Sequence, residues 1–171
     1  MITPLGVRLA YCLAFIHVGT RKVYIAGMTR KPTHDWVALQ ARNMAMQLED
    51  EGQSMTLLIR DGDGKFCKSF DSVFQSIGAQ VKRLPYKSPN LNPYAESWVG
   101  TVKRECLNRF VCFGEDHLRY IIKEYVDYYN TVRPHSSLGR PIDYKPLVNI
   151  GAVHCQSRLG GLLRHYYRKA S

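Results

Sequence analysis

The fold class is decided by residues 55–84, which read MTLLIRDGDGKFCKSFDSVFQSIGAQVKRL. Residues 55–59 form a short apolar run that is typical of a buried strand. Aromatic and aliphatic side chains then recur at helical spacing between residues 66 and 77, and Gly78 ends that pattern. A second short strand is predicted at residues 81–84, which begins with Val81 and ends with Leu84. The stretch therefore predicts a strand, a helix and a strand in succession.

The upstream sequence adds two strands and a helix. Residues 9–16 are almost continuously apolar, as expected of a strand buried on both faces. Residues 22–28 contain β-branched and aromatic side chains that favour a second strand, and the turn at 18–20 joins the two as an antiparallel pair. Thr33 is a suitable N-cap for a helix whose apolar stripe ends before Gly52.

The downstream sequence predicts two more helices. A loop rich in Pro, Asn and Ser at 85–90 precedes a helix over 93–109, and apolar residues between 118 and 129 recur with the cleanest helical spacing in the chain. This order of elements predicts an α/β layer protein. We expect a domain over residues 1–140 and an irregular basic extension over residues 141–171.

Composition limits the class of protein. The 171 residues include 24 Lys and Arg against 14 Asp and Glu, a net charge of +10, and 45% of them are hydrophobic. A chain this apolar builds a core, which excludes a disordered basic tail, and its charge favours nucleic acid as a partner. No apolar run is long enough to span a membrane and no signal-peptide pattern is present, so we expect a cytoplasmic protein without a membrane partner. The five cysteines are scattered without C-x-x-C spacing, which excludes a disulfide framework and a zinc site.

Two carboxylates stand out by position. Asp61 follows the predicted strand at 55–59, at the sheet edge where open α/β proteins bind ligands, and Glu96 lies in the first turn of the helix that begins near residue 93. Paired carboxylates at such an edge suit Mg²⁺, which prefers oxygen ligands. Each acid also fits an ordinary turn or helix start, where the helix dipole favours negative charge. Their spacing alone leaves both interpretations open.

The helix after Glu96 carries a polar face. Glu96, Gly100 and Lys103 fall on one side, so that a phosphate backbone could approach Gly100 closely with Lys103 balancing its charge. The alternative is a solvated face without a ligand. The opposite, apolar stripe is predicted to consist of Trp98, Val99, Val102, Cys106 and Phe110.

Basic residues cluster around this predicted site, and we expect them to contact a DNA backbone. They are Lys82, Arg83, Lys87, Lys103 and Arg104. The basic residues near the second strand are interpreted as a solvated face. A further cationic group lies in the tail, at Arg158, Arg164, Arg168 and Lys169.

Three motifs resemble one family. Residues 84–96 read LPxxSPNLNxYAE, residues 128–139 read YYNxxRPHxxLG, and residues 159–168 read LGGLLxxYYR. Together they resemble the integrase core of the DDE transposases and integrases, in particular of bacterial insertion-sequence transposases. The resemblance implies a ribonuclease H-like mixed sheet flanked by helices.

The resemblance also implies residue roles. Asp61 matches the second catalytic Asp of the family, Glu96 the catalytic Glu, and Lys103 the basic residue used on DNA ends. The implied cofactor is a pair of Mg²⁺ or Mn²⁺ ions, for which Asp61 and Glu96 are ligands. The implied partners are DNA, as transposon ends and target, and a second copy of the chain.

One departure from the family pattern affects the activity. The family uses a third carboxylate, an Asp on the first strand, whereas residues 1–34 contain neither Asp nor Glu. We therefore expect an N-terminally truncated core that lacks most of its first strand and is catalytically inactive alone. The alternatives are a non-catalytic DNA-binding or oligomerisation partner of a full-length transposase, and a ribonuclease H-like nuclease of another kind.

Overall fold

A computed structural model describes residues 1–3, 6–85, 92–136, 138–143 and 151–168. The described residues form both strands and helices, which confirms the mixed α/β class. In chain order the strands are β1 (Ile2–Thr3), β2 (Gly6–Val7), β3 (Tyr11–Ile16), β4 (Val23–Thr29), β5 (Leu57–Arg60), β6 (Gln80–Arg83), β7 (Val153–Arg158) and β8 (Leu163–Arg168). The helices are α1 (His34–Asp50), α2 (Lys68–Ser76), α3 (Pro93–Glu105) and α4 (Gly114–Thr131).

The chain forms two compact units. One consists of Arg8–Phe15 and Ile25–Val99, and the other of Met1–Val7, Ile16–Tyr24 and Gly100–Ser171. The domain boundary predicted at residue 140 remains a prediction.

Helix α1 begins and ends where the sequence predicts. The Thr33 hydroxyl accepts a hydrogen bond from the Trp36 backbone N–H at 3.2 Å, which satisfies one of the donors left open at a helix start. Gly52 adopts φ +63°, and the Gln53 N–H then donates to the Leu48 carbonyl at 2.8 Å. The apolar face between these caps is buried at Val37, Ala38, Ala41, Met44 and Leu48.

Strands β5 and β6 are parallel neighbours, with Leu57 opposite Gln80 and Arg60 opposite Arg83. Parallel strands require a crossover connection, which α2 supplies. Phe70 and Phe74 of this helix are 1% and 0% exposed. The predicted strand–helix–strand unit is therefore confirmed, and both strands end at the same edge.

The first residues form a short antiparallel pair of strands that was not predicted from the sequence. Ile2–Thr3 pairs antiparallel with Gly6–Val7, and Ile2 also forms a parallel bridge with Phe113. The Ile2 N–H donates to the Cys112 carbonyl at 2.7 Å.

Helix α3 is shorter than predicted and buries a slightly different stripe. It ends at Glu105, and Leu107–Arg109 form a short 3-10 helix. Val99 is 39% exposed, whereas Thr101 is 9% exposed. The position three residues after Trp98 therefore belongs to the buried stripe, as helical geometry requires, and the assignment of Val99 to it is wrong.

The expectation of an irregular extension is wrong for residues 153–168. Strands β7 and β8 form an antiparallel hairpin in which Val153 lies opposite Arg168 and Arg158 opposite Leu163. Gly160 and Gly161 have φ +64° and +93°, backbone conformations that glycine adopts without strain and that allow the chain to reverse. The sequence signal is weak because the alternation of apolar and polar residues in β7 ends after Gln156.

The described strands pair in four two-stranded sheets. A continuous ribonuclease H-like sheet is therefore still a prediction. None of the described helices is long and apolar enough to cross a membrane.

Candidate active site

Asp61 lies directly after β5, at the carboxyl edge of the β5–β6 pair, and is exposed. One of its carboxylate oxygens, Oδ1, accepts the Asp63 backbone N–H at 3.1 Å, which stabilises the turn that follows the strand. Within the described parts of the chain, its carboxylate forms no salt bridge. The carboxylate is therefore accessible to a cationic ligand.

Arg60 fixes the point at which β5 ends. It is only 8% exposed, and its Nε and Nη2 donate to the two carboxylate oxygens of Asp71 at 2.7 and 2.6 Å. Its Nη1 donates to the Asp61 carbonyl at 3.0 Å. The hydrogen bond to Asp71 raises the pKa of the Arg60 guanidinium. Residue 60 shares the buried face of β5 with Leu58, so strand periodicity could have predicted that this Arg needs a buried acidic partner.

Two further cations lie at the loop after Asp61. Lys65 donates to the Asp63 carboxylate at 2.8 Å, and this hydrogen bond lowers the pKa of Asp63. The Arg83 guanidinium donates to the Gly62 carbonyl at 3.2 Å. Arg83, predicted to contact DNA, therefore lies beside the loop of Asp61. Lys65 was not predicted to be part of the site.

Glu96 lies in the first turn of α3 and is exposed, as predicted. Asn92 begins this turn, because its carbonyl accepts the Glu96 N–H at 3.2 Å and its side chain accepts the Ala95 N–H at 3.4 Å. The Glu96 carboxylate has no hydrogen bond or ion pair with another described residue. Asp61 and Glu96 belong to the same compact unit, and their proximity remains a prediction.

The carboxylates of Asp61 and Glu96 are suitable ligands for a divalent ion, but two carboxylates are a small ligand set. Carboxylate oxygens are the ligands that Mg²⁺ prefers. The described residues contain no group of three or more His, Cys, Asp and Glu side chains that could hold a metal ion.

The remaining predicted DNA contacts lie on β6 and α3. Lys82, Lys103 and Arg104 are exposed, and Lys87 lies outside the described residues. A Cβ atom at Gly100 would come within 3.1 Å of Arg104 Nη1. The absence of a side chain at Gly100 thus leaves room for the Arg104 guanidinium. The surface at Gly100 is therefore covered by a cation and is not empty.

Asn130, in the motif at 128–139, joins α4 to β4 within the unit that contains Gly100–Ser171. This side chain is 8% exposed; its Nδ2 donates to the Val23 carbonyl at 2.9 Å, and its Oδ1 accepts the Val23 N–H at 3.0 Å. The amide therefore satisfies both backbone groups of a strand residue, as a neighbouring strand would.

Arg133 of the same motif is bound to α3. Its Nε and Nη2 donate to the Glu105 carboxylate at 2.8 and 2.6 Å, and the Tyr125 hydroxyl donates to the same carboxylate at 2.8 Å. Burial tends to raise the pKa of Glu105, but the hydrogen bonds from Arg133 and Tyr125 outweigh it and lower that pKa.

His135 is a packing residue. It is 6% exposed, its Nε2 donates to the Tyr129 carbonyl at 2.9 Å, and its ring meets the Tyr129 ring edge-on with centroids 4.6 Å apart. These contacts could not be predicted from the sequence, because only folding brings the two partners together.

Comparisons with known proteins give a matching family model and a similar protein. Residues 77–141 match the family model of the integrase core domain. The chain is also 40% identical over 73 residues to the insertion element IS476 uncharacterized 39.2 kDa protein of Xanthomonas euvesicatoria. That match covers 43% of this chain and 21% of the relative, so the chain spans about a fifth of the relative's length.

The match at 77–141 includes Glu96, Gly100, Lys103 and the motif at 128–139, whereas Asp61 lies before it. Residues 77–141 are thus similar to the integrase core domain, and the relative is a protein of an insertion element, which confirms the resemblance predicted from the motifs.

Proposed function

We propose that this chain is part of the catalytic core of a DNA transposase, in which Asp61 and Glu96 bind divalent metal and nearby cations bind DNA. The observation that carries the proposal is the placement of Asp61, whose exposed carboxylate follows a parallel strand and forms no salt bridge within the described residues. The integrase-core match around Glu96 supports the second ligand.

The fold proposed with this function is ribonuclease H-like. The parallel pair β5–β6 and its crossover helix α2 are a unit that such a sheet requires. In that arrangement the carboxyl edge after Arg60 and the start of α3 lie together, which brings Asp61 near Glu96.

Each group has a defined task in this proposal. Bound Mg²⁺ or Mn²⁺ supplies Lewis-acid stabilisation of the phosphodiester oxygens. Asp61 and Glu96 hold the ions. Arg83 is held by its hydrogen bond to the Gly62 carbonyl and binds a phosphate beside Asp61. On α3, Arg104 and Lys103 bind the DNA backbone, with Gly100 leaving room for the Arg104 guanidinium.

The number of carboxylates limits the activity of this chain alone. Two divalent ions together carry a charge of about +4, and holding them in a precise geometry needs several anionic ligands. Asp63 and Asp71 do not add to the ligand set, because Lys65 and Arg60 bind them at 2.8 and 2.6 Å. We therefore infer that residues 1–171 do not carry out efficient strand transfer without a further acidic ligand.

The alternative function is a DNA-binding or oligomerisation partner of a full-length transposase. It is favoured by the lack of a three-ligand group among the described residues. Both functions require the basic surface, but only the catalytic core requires metal at Asp61 and Glu96.

Calorimetric titration of Mn²⁺ into the full chain separates the two functions. We expect weak Mn²⁺ binding that Asp61→Asn and Glu96→Gln each abolish, because each substitution removes one anionic ligand. Asp116→Asn, an exposed acid in the first turn of α4, is the matched control and should bind as the wild type does. Equal binding by all four proteins would contradict the catalytic core.

A strand-transfer assay with a labelled DNA end and Mn²⁺ tests the inactivity. We expect no joined product from residues 1–171. A clear product that Asp61→Asn removes would show that two carboxylates suffice.

A further inference from the structure

The C-terminal segment has an unusually one-sided charge. Residues 144–171 contain no Asp or Glu, and their basic residues are Lys145, Arg158, Arg164, Arg168 and Lys169. Within this segment the hairpin β7–β8 holds three of the basic side chains on regular backbone.

The two faces of the hairpin differ because side chains alternate along each strand and directly opposed residues share a face. Arg158 and Leu163 are opposed and define the inner face. Leu163 is 5% exposed, and Arg158 pairs with Asp127 and, at 3.6 Å, with Glu124 of α4. The inner face is therefore anchored to α4 and its cation is neutralised.

The outer face is exposed and carries cations without acids. The register places three opposed pairs on it, and all six residues are exposed: Val153 with Arg168, Cys155 with Tyr166, and Ser157 with Arg164. Tyr166 is 60% exposed and lies between the two arginines on β8. A cationic surface without acids is suited to nucleic acid, whose phosphates bind arginine.

The two arginines of the outer face differ in how they are held. Arg168 donates through Nη1 to the Gly151 carbonyl at 2.7 Å, which fixes its position and leaves its other guanidinium donors for a ligand. Arg164 has no hydrogen bond or ion pair with another residue in the described part of the chain.

We propose that the outer face of the β7–β8 hairpin is a DNA-binding surface that acts through Arg164 and Arg168. Four residues along a strand separate these side chains by about 13 Å. A two-stranded ribbon enters the major groove of B-DNA, which is about 12 Å wide, so the two guanidinium groups can reach the phosphates that border it. Anchoring by Arg158 and Leu163 keeps this face turned outward.

The residues of this surface are not those of the metal site proposed above, and DNA binding to them needs no metal. The inference does not depend on Asp61 or Glu96, and its test is run in EDTA. Loss of metal binding and loss of hairpin binding therefore give distinguishable results.

The test is fluorescence anisotropy with the full chain and a labelled duplex of mixed sequence, measured over a range of salt concentrations. Arg164→Gln/Arg168→Gln should weaken binding at least tenfold at low salt and reduce the slope of log K against log salt by about 1.8, since each phosphate contact contributes about 0.9. Arg42→Gln/Lys123→Gln removes the same charge from exposed helix positions and should leave the slope unchanged.

Two further measurements make the result decisive. Arg164→Glu alone should weaken binding more than Arg164→Gln without changing the melting temperature, because Arg164 has no partner among the described residues. Asp61→Asn should bind the duplex in EDTA at least as well as the wild type. Unchanged salt dependence in the arginine double variant, or an equal loss in the Arg42→Gln/Lys123→Gln control, would overturn the proposal.

Discussion

The family resemblance rests in part on the motif at residues 128–139 and on the carboxylates at positions 61 and 96. Two polar side chains of the motif are buried and bonded, whereas the two carboxylates are exposed. Asn130 and His135 are 8% and 6% exposed, and each polar group described above has a partner in the protein. Asp61 and Glu96 are exposed, and neither forms a salt bridge within the described residues.

This difference separates two reasons why a polar residue occupies its position. A buried amide or guanidinium that satisfies backbone groups or a carboxylate contributes to stability, because losing it leaves its partner unsatisfied. An exposed carboxylate that forms no salt bridge contributes little to stability and remains able to bind a ligand. The comparison therefore predicts large stability effects in the motif and small ones at the carboxylates.

The largest effect is expected at Asn130. In Asn130→Ala the buried N–H and C=O of Val23 lose their side-chain partners, and we expect the free energy of unfolding to fall by about 2–4 kcal/mol. Urea denaturation followed by circular dichroism measures this change. Asn43→Ala, at an exposed position of α1, is the control and should change it by less than about 0.5 kcal/mol. Equal effects of the two variants would contradict the role assigned to Asn130.

An intermediate effect is expected at Glu105. Glu105→Gln removes the negative charge that Arg133 binds, and the free energy of unfolding should fall by about 1–2 kcal/mol near neutral pH. Glu115→Gln breaks an exposed pair with Arg119 and should cost less than about 0.5 kcal/mol.

The pH dependence of the Glu105 effect has a defined sign. The folded protein holds the pKa of Glu105 below its ordinary value of 4.5, so the stabilisation is present above that pH and is lost as the pH falls through the folded pKa. The difference between wild type and Glu105→Gln should therefore shrink in urea titrations below pH 4.5. A difference that grows in acid would show that the carboxylate is not stabilised by Arg133.

The smallest effect is expected at the two exposed carboxylates. In Asp61→Asn the amide oxygen still accepts the Asp63 N–H, and Glu96→Gln leaves no described partner unsatisfied, so each should change the free energy of unfolding by less than about 0.5 kcal/mol. Thermal and urea denaturation check this result. A loss comparable to that of Asn130→Ala would mean that these acids stabilise the fold, and the distinction between the two regions would fail.

The local elements of this chain were predictable from the sequence because their signals are local. Thr33 and Gly52 mark the ends of α1 through hydrogen bonds to residues within five positions, and the spacing of Phe70 and Phe74 predicts α2. The hairpin at 153–168 was not predicted, because alternation in its strands is short and the ion pairs that hold Arg158 to Glu124 and Asp127 join distant parts of the chain.

The sequence by itself determined the mixed α/β class, the family resemblance and the identity of Asp61 and Glu96 as candidate ligands. Only the tertiary structure decided which polar residues are already bound. It pairs Arg60 with Asp71, Arg133 with Glu105 and Asn130 with Val23, and it directs Arg164 and Arg168 outward. The physical reason is that a hydrogen bond or an ion pair depends on distance in space, and folding brings together residues whose separation in the chain gives no indication of contact.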